Sequence, residues 1–303
     1  MSRAAVPPPG RIGLSVCPIW LYSMRENMTF FNPNPHIPPR VLATDLDGTF
    51  IPLPDRPDNV SALDTFRQAR AEHRLGLVYA TGRHLASVLD VVARYALPLP
   101  DWIVCDVGTS IHRRQDNRYA PYPPFETHLS EQTRGIGRDA VESLLVGMDG
   151  LTLQPPERQQ RFKISCFSAA ADTEILAARI NQRLREAGLP YACLASLNPF
   201  RDEGLLDILP AGASKAAALL WLATHADFSP DEVVFSGDSG NDLAALTCGF
   251  RAIVVANASD TLAGRAAQAL AERGLADRLY RATLPATSGV LQGARHFHLL
   301  PPA

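Results

Sequence analysis

Short apolar runs, each stopping at a polar turn and most leading into a helical repeat, constrain this chain more than any other feature. Val41-Leu42-Ala43-Thr44 runs into Asp45-Leu46-Asp47-Gly48-Thr49. Leu75 to Ala80 runs into Thr81-Gly82-Arg83, and Trp102 to Cys105 into Asp106. Glu232 to Ser236 runs into Gly237-Asp238-Ser239-Gly240-Asn241-Asp242, and Ala252 to Val255 into Ala256-Asn257. Runs of this length, rich in β-branched residues and bounded by turn signals, read as strands. After the second of them, Leu85, Val88, Leu89 and Val92 recur at helical spacing. Strand–helix alternation predicts an α/β fold with a Rossmann-like parallel sheet, in which ligands bind beyond the carboxyl ends of the strands.

The alternation breaks in the middle of the chain. Residues 114–128 are polar, aromatic and proline-rich, and a helix is expected around Asp139 to Val146. A strand over Arg161 to Phe167, a helix carrying Ile175, Leu176, Ile180 and Leu184, and β-like segments at 191–194 and 205–209 complete the irregular stretch. This reads as an inserted α+β cap of antiparallel character. The expected division is a core over 40–113 and 200–303 and a cap over 114–199. The arm over 1–39 is expected to be disordered or loosely packed. Pro7-Pro8-Pro9-Gly10 and Asn32-Pro33-Asn34-Pro35 are its turn and extended-chain signals.

A formal net charge of −2 provides no global field for nucleic acid or a membrane surface, so an anionic substrate must be held by local positive charge. No stretch approaches the ~20 apolar residues of a membrane span. Cys17, Cys105, Cys166, Cys193 and Cys248 are scattered and odd in number, with no CxxC spacing. They read as free thiols, and a cytoplasmic location is expected.

Four groups of polar residues should meet at one sheet edge. Asp45 and Asp47 end the first strand. Two acids so close repel unless a cation or a substrate group compensates them. Thr81 and Gly82 offer a hydroxyl and backbone N–H groups to a phosphate. Lys215 lies near a helix start, and Asp238 to Asp242 follow another strand. Each signal alone is an ordinary turn, cap or surface charge; the conjunction and the order carry the weight.

With this order the chain resembles the haloacid dehalogenase superfamily of phosphohydrolases. Asp45-Leu46-Asp47-Gly48-Thr49, Thr81, Lys215 and Gly237 to Asp242 match its four motifs in turn. The resemblance implies that Asp45 attacks phosphorus and that Asp47 shuttles the proton. Mg²⁺ would be held by Asp45, the backbone carbonyl of Asp47, and Asp238, with Asp242 placed at the metal or orienting Lys215. Thr81, Gly82, Lys215 and Asn241 would bind the phosphate. Leu153 to Ser165, Asp106 to Thr109 and Gly289 to Phe297 are similar to the sucrose-phosphate phosphatase family. That resemblance implies sugar contacts from Gln154, Glu157, Arg161 and Lys163 of the cap. It also implies hydrolysis of a disaccharide phosphate, sucrose 6-phosphate first, with mannosylfructose phosphate and glucosylglycerol phosphate as alternatives. A sugar-phosphate synthase (a glycosyltransferase) is the implied partner. The non-enzymatic alternative is a catalytically silent partner domain of such a synthase.

Overall fold

The computed structural model describes residues 30–73, 75–116, 118–197 and 202–302. In chain order the elements begin with β1 (Val41–Thr44), α1 (Pro57–His73), β2 (Gly76–Ala80), α2 (Leu85–Arg94) and β3 (Trp102–Cys105). A hairpin of β4 (Ser110–Gln115) and β5 (Arg118–Pro121) follows, then α3 (Pro123–Gln132), α4 (Arg138–Leu145) and β6 (Thr152–Leu153). Next come β7 (Ile164–Ala169), α5 (Thr173–Glu186), β8 (Tyr191–Leu197) and β9 (Glu203–Pro210). The chain closes with α6 (Lys215–His225), β10 (Val233–Gly237), α7 (Leu243–Thr247), β11 (Arg251–Val254), α8 (Asp260–Ala271), β12 (Leu279–Arg281) and α9 (Ala286–His296).

An eight-stranded sheet runs in the order β12-β11-β10-β1-β2-β3-β4-β5. Its strands from β12 to β3 are parallel, and β4 and β5 are antiparallel additions at one edge. Side chains alternate across this sheet, as the period of a strand requires. Val41, Ala43, Val78 and Phe235 pack with α6, α7 and α8 on one face. Leu42, Leu77, Tyr79 and Val234 pack with α1, α2 and α9 on the other. Both faces are covered, which is why these strands read as continuous apolar runs. The chain leaves β1 in one direction through β2 and β3 and returns on its other side through β10. Beyond the carboxyl ends of β1 and β10 lies the topological switch point, where such sheets bind ligands.

The cap has its own antiparallel sheet, ordered β6-β7-β9-β8. Leu176, Ile180 and Leu184 of α5 pack on its Ile164, Cys166, Leu206 and Ile208. The strand pairing moves the boundaries expected from sequence. Residues 118–121 belong to the core sheet, because β5 pairs with β4. Residues 203–210 belong to the cap sheet, because β9 is paired on both sides by β7 and β8. The break in strand–helix alternation marked the insert, but alternation does not record which sheet a strand joins.

The expectation for the arm also changes over its last ten residues; residues 1–29 lie outside the described residues. Phe31 packs against Phe250 with ring centroids 5.7 Å apart and the planes tilted by 49°, and Arg273 donates to the Phe31 carbonyl at 3.2 Å. Arg251 donates to the Ile37 carbonyl at 2.7 Å, and Asp231 accepts the Asn34 N–H at 2.6 Å. The prolines leave this segment without ladder hydrogen bonds, and arginines from the core take its carbonyls instead. Phe31→Ala should therefore cost about 1–3 kcal/mol, since it strips a half-buried ring from a packed neighbour. The check is the urea midpoint at constant m-value, and an unchanged midpoint would mean that the segment does not pack.

Candidate active site

Asp45 continues the β1 ladder by donating its N–H to the Ser236 carbonyl at 2.9 Å, so its side chain emerges between β1 and β10. Ser214 caps α6 by accepting the Ala217 N–H at 3.1 Å, which starts that helix at Lys215. The Lys215 ammonium is fully buried and donates to Asp45 Oδ1 at 2.8 Å and to Asp242 Oδ1 at 2.7 Å. The other oxygen of Asp242 accepts the N–H groups of Asp238 at 3.1 Å and Ser239 at 3.0 Å. Asp242 thereby folds the loop after β10 and brings Asp238 across to β1. Thr49 donates its hydroxyl to Asp238 Oδ1 at 2.9 Å. Gly48 adopts a positive φ of 71°, and a Cβ there would fall 2.3 Å from Asp238 Oδ2. Only glycine lets the first turn approach this carboxylate.

One ligand oxygen from each of Asp45, Asp238 and Asp242 lies within 4.8 Å of the others. Three carboxylates face a single ammonium, so the fully ionised pocket carries two surplus negative charges. Burial pushes the Asp45 carboxyl up to about 8; the Lys215 ammonium pulls against it, and the Asp242 and Asp238 carboxylates add to the rise. Asp238 is pushed up to about 6 by burial and by Asp242, with the Thr49 hydroxyl opposing. Burial lowers the Lys215 ammonium, but its two carboxylate partners outweigh that and raise it. Such a donor set fits a hard divalent cation, which would remove the surplus charge and accept oxygen ligands only. Asp242 already gives both oxygens to Lys215 and the loop, so Asp45 and Asp238 are the better ligands of the three.

Asp47 lies elsewhere: its carboxylate is 56% exposed and is gripped by Arg83, Nε to Oδ2 at 2.6 Å and Nη2 to Oδ1 at 2.6 Å. Its side chain is not part of the acidic cluster. Thr81 is buried at the end of β2, and its hydroxyl accepts the Arg83 N–H at 3.2 Å, which leaves the hydroxyl proton for a ligand. Gly82 is half-buried, and Asn241 is exposed with its carbonyl oxygen accepting from Ser239 at 3.0 Å.

The turn between β3 and β4 was quoted from sequence but given no role. Its Asp106 and Val107 both have positive φ, 53° and 58°, with Gly108 N–H bonded to the Cys105 carbonyl at 2.9 Å. This is the φ pattern of a type I′ hairpin turn, and Val107 is poorly suited to it. Non-glycine residues held this way cost about 1–3 kcal/mol each, so surrounding contacts must hold them. The contacts are with the site. Asp106 N–H donates to the Arg83 carbonyl at 3.0 Å, and Val107 N–H to the Thr81 carbonyl at 3.1 Å. Gly108 lies so close to α6 that a Cβ would fall 2.2 Å from the Ser214 carbonyl oxygen. A turn was expected here from Asp106 and Gly108, but the left-handed backbone of Val107 carries no signal in its residue type.

The four cap residues do not form one cluster. The buried side-chain amide of Gln154 donates to the Cys166 carbonyl at 3.3 Å. Glu157 is exposed in a short 3₁₀ turn, and Arg161 is exposed and pairs with Glu126 at 3.2 Å. Lys163 is buried, with its ammonium 3.3 Å from Asp106 Oδ1 and 3.9 Å from Asp207 Oδ1. The contact with Asp106 is an ion pair that leaves Oδ1 without a hydrogen bond of good geometry. Burial raises the Asp106 carboxyl, against the pull of Lys163 and of the Ser110 hydroxyl. Lys163 thus joins cap to core.

The raised carboxyls set a pH dependence. With Asp45 raised to about 8 and Asp238 to about 6, the folded protein binds protons that the unfolded chain has released, on Asp238 between about pH 4 and pH 6 and on Asp45 between about pH 4 and pH 8. Without a divalent cation, stability from these groups therefore falls as pH rises through that window. A cation binds the ionised pocket, so its stabilisation grows with pH. Mg²⁺ added to chelated protein should raise Tm more at about pH 8 than at about pH 5. Equal shifts, or none, would remove the cation pocket.

Comparison with known proteins identifies the family. The family model for sucrose-6F-phosphate phosphohydrolase matches residues 38–298. A HAD-like hydrolase of Nitrosococcus oceani is 34% identical over 267 residues, covering 85% of this chain and 71% of that protein. The mannosylfructose-phosphate phosphatase of Agrobacterium fabrum is 32% identical over 267 residues, covering 87% of this chain and 99% of that one. The crystal structure of the Synechocystis sucrose-phosphatase with sucrose and phosphate superposes with a TM-score of 0.70 at 24% identity, over 86% of this chain and 99% of that one. That likeness extends over core and cap together. The chain belongs to the sucrose-6F-phosphate phosphohydrolase family, within the haloacid dehalogenase superfamily, and is a phosphatase.

Proposed function

We propose that this protein hydrolyses a disaccharide phosphate through an aspartyl-phosphate on Asp45, with sucrose 6-phosphate as first candidate. The observation that carries the reading is the cluster of three carboxylates, two of them buried, against one ammonium at the switch point. Mg²⁺ held by Asp45, Asp238 and the Asp47 carbonyl would supply charge neutralisation for the phosphate oxygens. Lys215 fixes Asp45 and lowers its repulsion with the incoming dianion. Thr81, Gly82 and Asn241 would hold phosphate oxygens.

In the first step an Asp45 oxygen forms a bond to phosphorus while the bond to the sugar oxygen breaks. That oxygen takes the electron pair and a proton from Asp47. In the second step water attacks the acyl phosphate and gives its proton to Asp47. Phosphate leaves and Asp45 is restored.

The relatives named above act on mannosylfructose phosphate in one case and bind sucrose and phosphate in another. Both support a disaccharide substrate, and mannosylfructose phosphate is the second candidate. Glu157 and Arg161, two exposed charged residues before β7, are proposed to contact sugar hydroxyls, together with Gln154 and Lys163. The reaction that must supply such a substrate is glycosyl transfer onto a phosphorylated acceptor, and contact with that glycosyltransferase belongs to the same reading. Four buried free thiols, Cys105, Cys166, Cys193 and Cys248, suit the reducing cytoplasm. No helix among the described residues is long and apolar enough to cross a membrane.

Phosphate release from p-nitrophenyl phosphate should require a divalent cation, stop with EDTA and fall to background in Asp45→Asn. Mg²⁺-dependent release no greater than that of the Asp45→Asn control would overturn Asp45 as nucleophile and favour the silent-partner alternative. Asp47→Asn should lower turnover of sugar phosphates by ~10²–10⁴. Across a panel, disaccharide phosphates should outpace monosaccharide phosphates, because a site built for hydroxyls rejects substrates that lack them. Equal rates would end the disaccharide assignment.

A further inference from the structure

A continuous line of contacts runs from the cap to the proposed proton shuttle without passing through the acidic cluster. Lys163 precedes cap strand β7, and its ammonium pairs with the Asp106 carboxylate of the core, 3.3 Å away. Phe162, beside it in the chain, is buried in the core's hydrophobic cluster with Phe125 and Leu129. Cap and core are therefore joined here by packing and charge together. On the core side the Ser110 hydroxyl holds the other Asp106 oxygen at 3.2 Å. The backbone N–H of Asp106 holds the Arg83 carbonyl at 3.0 Å. The Arg83 guanidinium holds both oxygens of Asp47 and donates to the Ser87 hydroxyl at 2.7 Å.

We propose that Asp106 is a positioning residue for proton transfer: held by Lys163 of the cap, it seats Arg83, and Arg83 aims the carboxylate of Asp47. The inference rests on the reading of Asp47 as proton shuttle.

The physical argument turns on the strain in the turn. Asp106 and Val107 both sit in the left-handed region, one of them β-branched. A turn of this kind keeps its shape only while its contacts hold it. The ion pair to Lys163 is the contact that the cap supplies. When it is lost, the turn can relax, and the Asp106 N–H need no longer meet the Arg83 carbonyl. Arg83 would then grip Asp47 less well. A bidentate guanidinium–carboxylate pair depends on orientation as well as distance, so a small backbone shift misdirects it. The cap would in this way admit efficient proton transfer only when it is docked, which is when water is excluded from the site.

The test separates this role from folding and from sugar binding by using substrates that carry no sugar. In p-nitrophenyl phosphate the leaving group needs no proton; in a simple alkyl phosphate it does. Asp47→Asn is the reference; its kcat/KM, which reports the first step alone, should fall far more on the alkyl ester than on the aryl ester, whereas hydrolysis of the acyl phosphate is common to both. Asp106→Asn keeps the shape of the side chain, and asparagine tolerates the left-handed backbone. It should stay within about two-fold of the parent on p-nitrophenyl phosphate and fall by about 10–100-fold in kcat/KM on the alkyl phosphate. Lys163→Met should give the same split, Lys163→Arg should retain most of the rate, and the double variant Asp106→Asn with Lys163→Met should be no worse than either single one. Lys163→Met carries the test alone if Asp106→Asn does not fold.

Equal losses on both esters, or no loss on either, would overturn the proposal. If Asp47→Asn itself shows no split, the proton-shuttle reading fails first. A split in Asp47→Asn that is missing from Asp106→Asn and Lys163→Met sinks the cap coupling alone.

Discussion

The bridge from Lys215 to Asp45 and Asp242 is the interaction on which the site depends. All three side chains are withdrawn from water, at 0% exposure for Lys215 and Asp242 and 4% for Asp45. Removing charges from water costs several kcal/mol per ion, and only close, well-oriented partners offset it. The lysine has two such partners, and Asp242 adds two backbone N–H donors on its far side. The result ties the end of β1, the start of α6 and the loop after β10 to one nitrogen atom. Loss of Lys215 would leave two buried carboxylates without their cation, so the geometry and the stability of the site are the same problem.

The bridge does not neutralise the pocket, and that shortfall is chemically useful. Asp238 stands outside the pairs made by Lys215 and is held by Thr49 instead. It contributes the charge that makes a cation welcome. Gly48 is the backbone condition for this, since any side chain there would strike Asp238. A preorganised charge deficit of this sort selects a hard cation, and with it a phosphate, without any change in the fold.

Much of this was legible in the chain because the informative features are local. Apolar runs ending in acids declared β1 and β10, and covered parallel strands read as continuous hydrophobic stretches. The motif order then placed Asp45, Thr81, Lys215 and Asp238 near one sheet edge, and the structure brings Asp45, Lys215, Asp238 and Asp242 together. What was illegible depends on pairing between distant segments. That β5 joins the core sheet and β9 the cap sheet is a matter of which edges meet, and periodicity is silent on it. The packing of residues 30–39 rests on Arg251 and Arg273, more than two hundred residues later. Proline content reported the missing ladder bonds correctly but not the arginines that replace them. Arg83 was read only as the residue after Thr81-Gly82, and Lys163 only by resemblance. Their partners, Asp47 and Asp106, are identifiable in space alone.

Asp45 and Asp47 differ by two positions in the chain and by an order of magnitude in exposure. The first is 4% exposed at the end of a strand, and the side chain of the second is 56% exposed in the turn beyond it. One environment fixes a carboxylate against a lysine and raises its carboxyl by burial. The other leaves a carboxylate open to water, steered by a guanidinium. A nucleophile must hold its position and be shielded from competing solvent; a proton carrier must exchange its proton with a leaving group and then with water. On the proposed roles, the strand and its turn do for these two aspartates what separate elements do elsewhere, setting two environments for one residue type. The division requires that the turn be held at its outer end, because an exposed carboxylate alone has no fixed direction. Arg83 meets that requirement, and its own seat on the β3–β4 turn extends the demand for order from the acidic cluster to the cap.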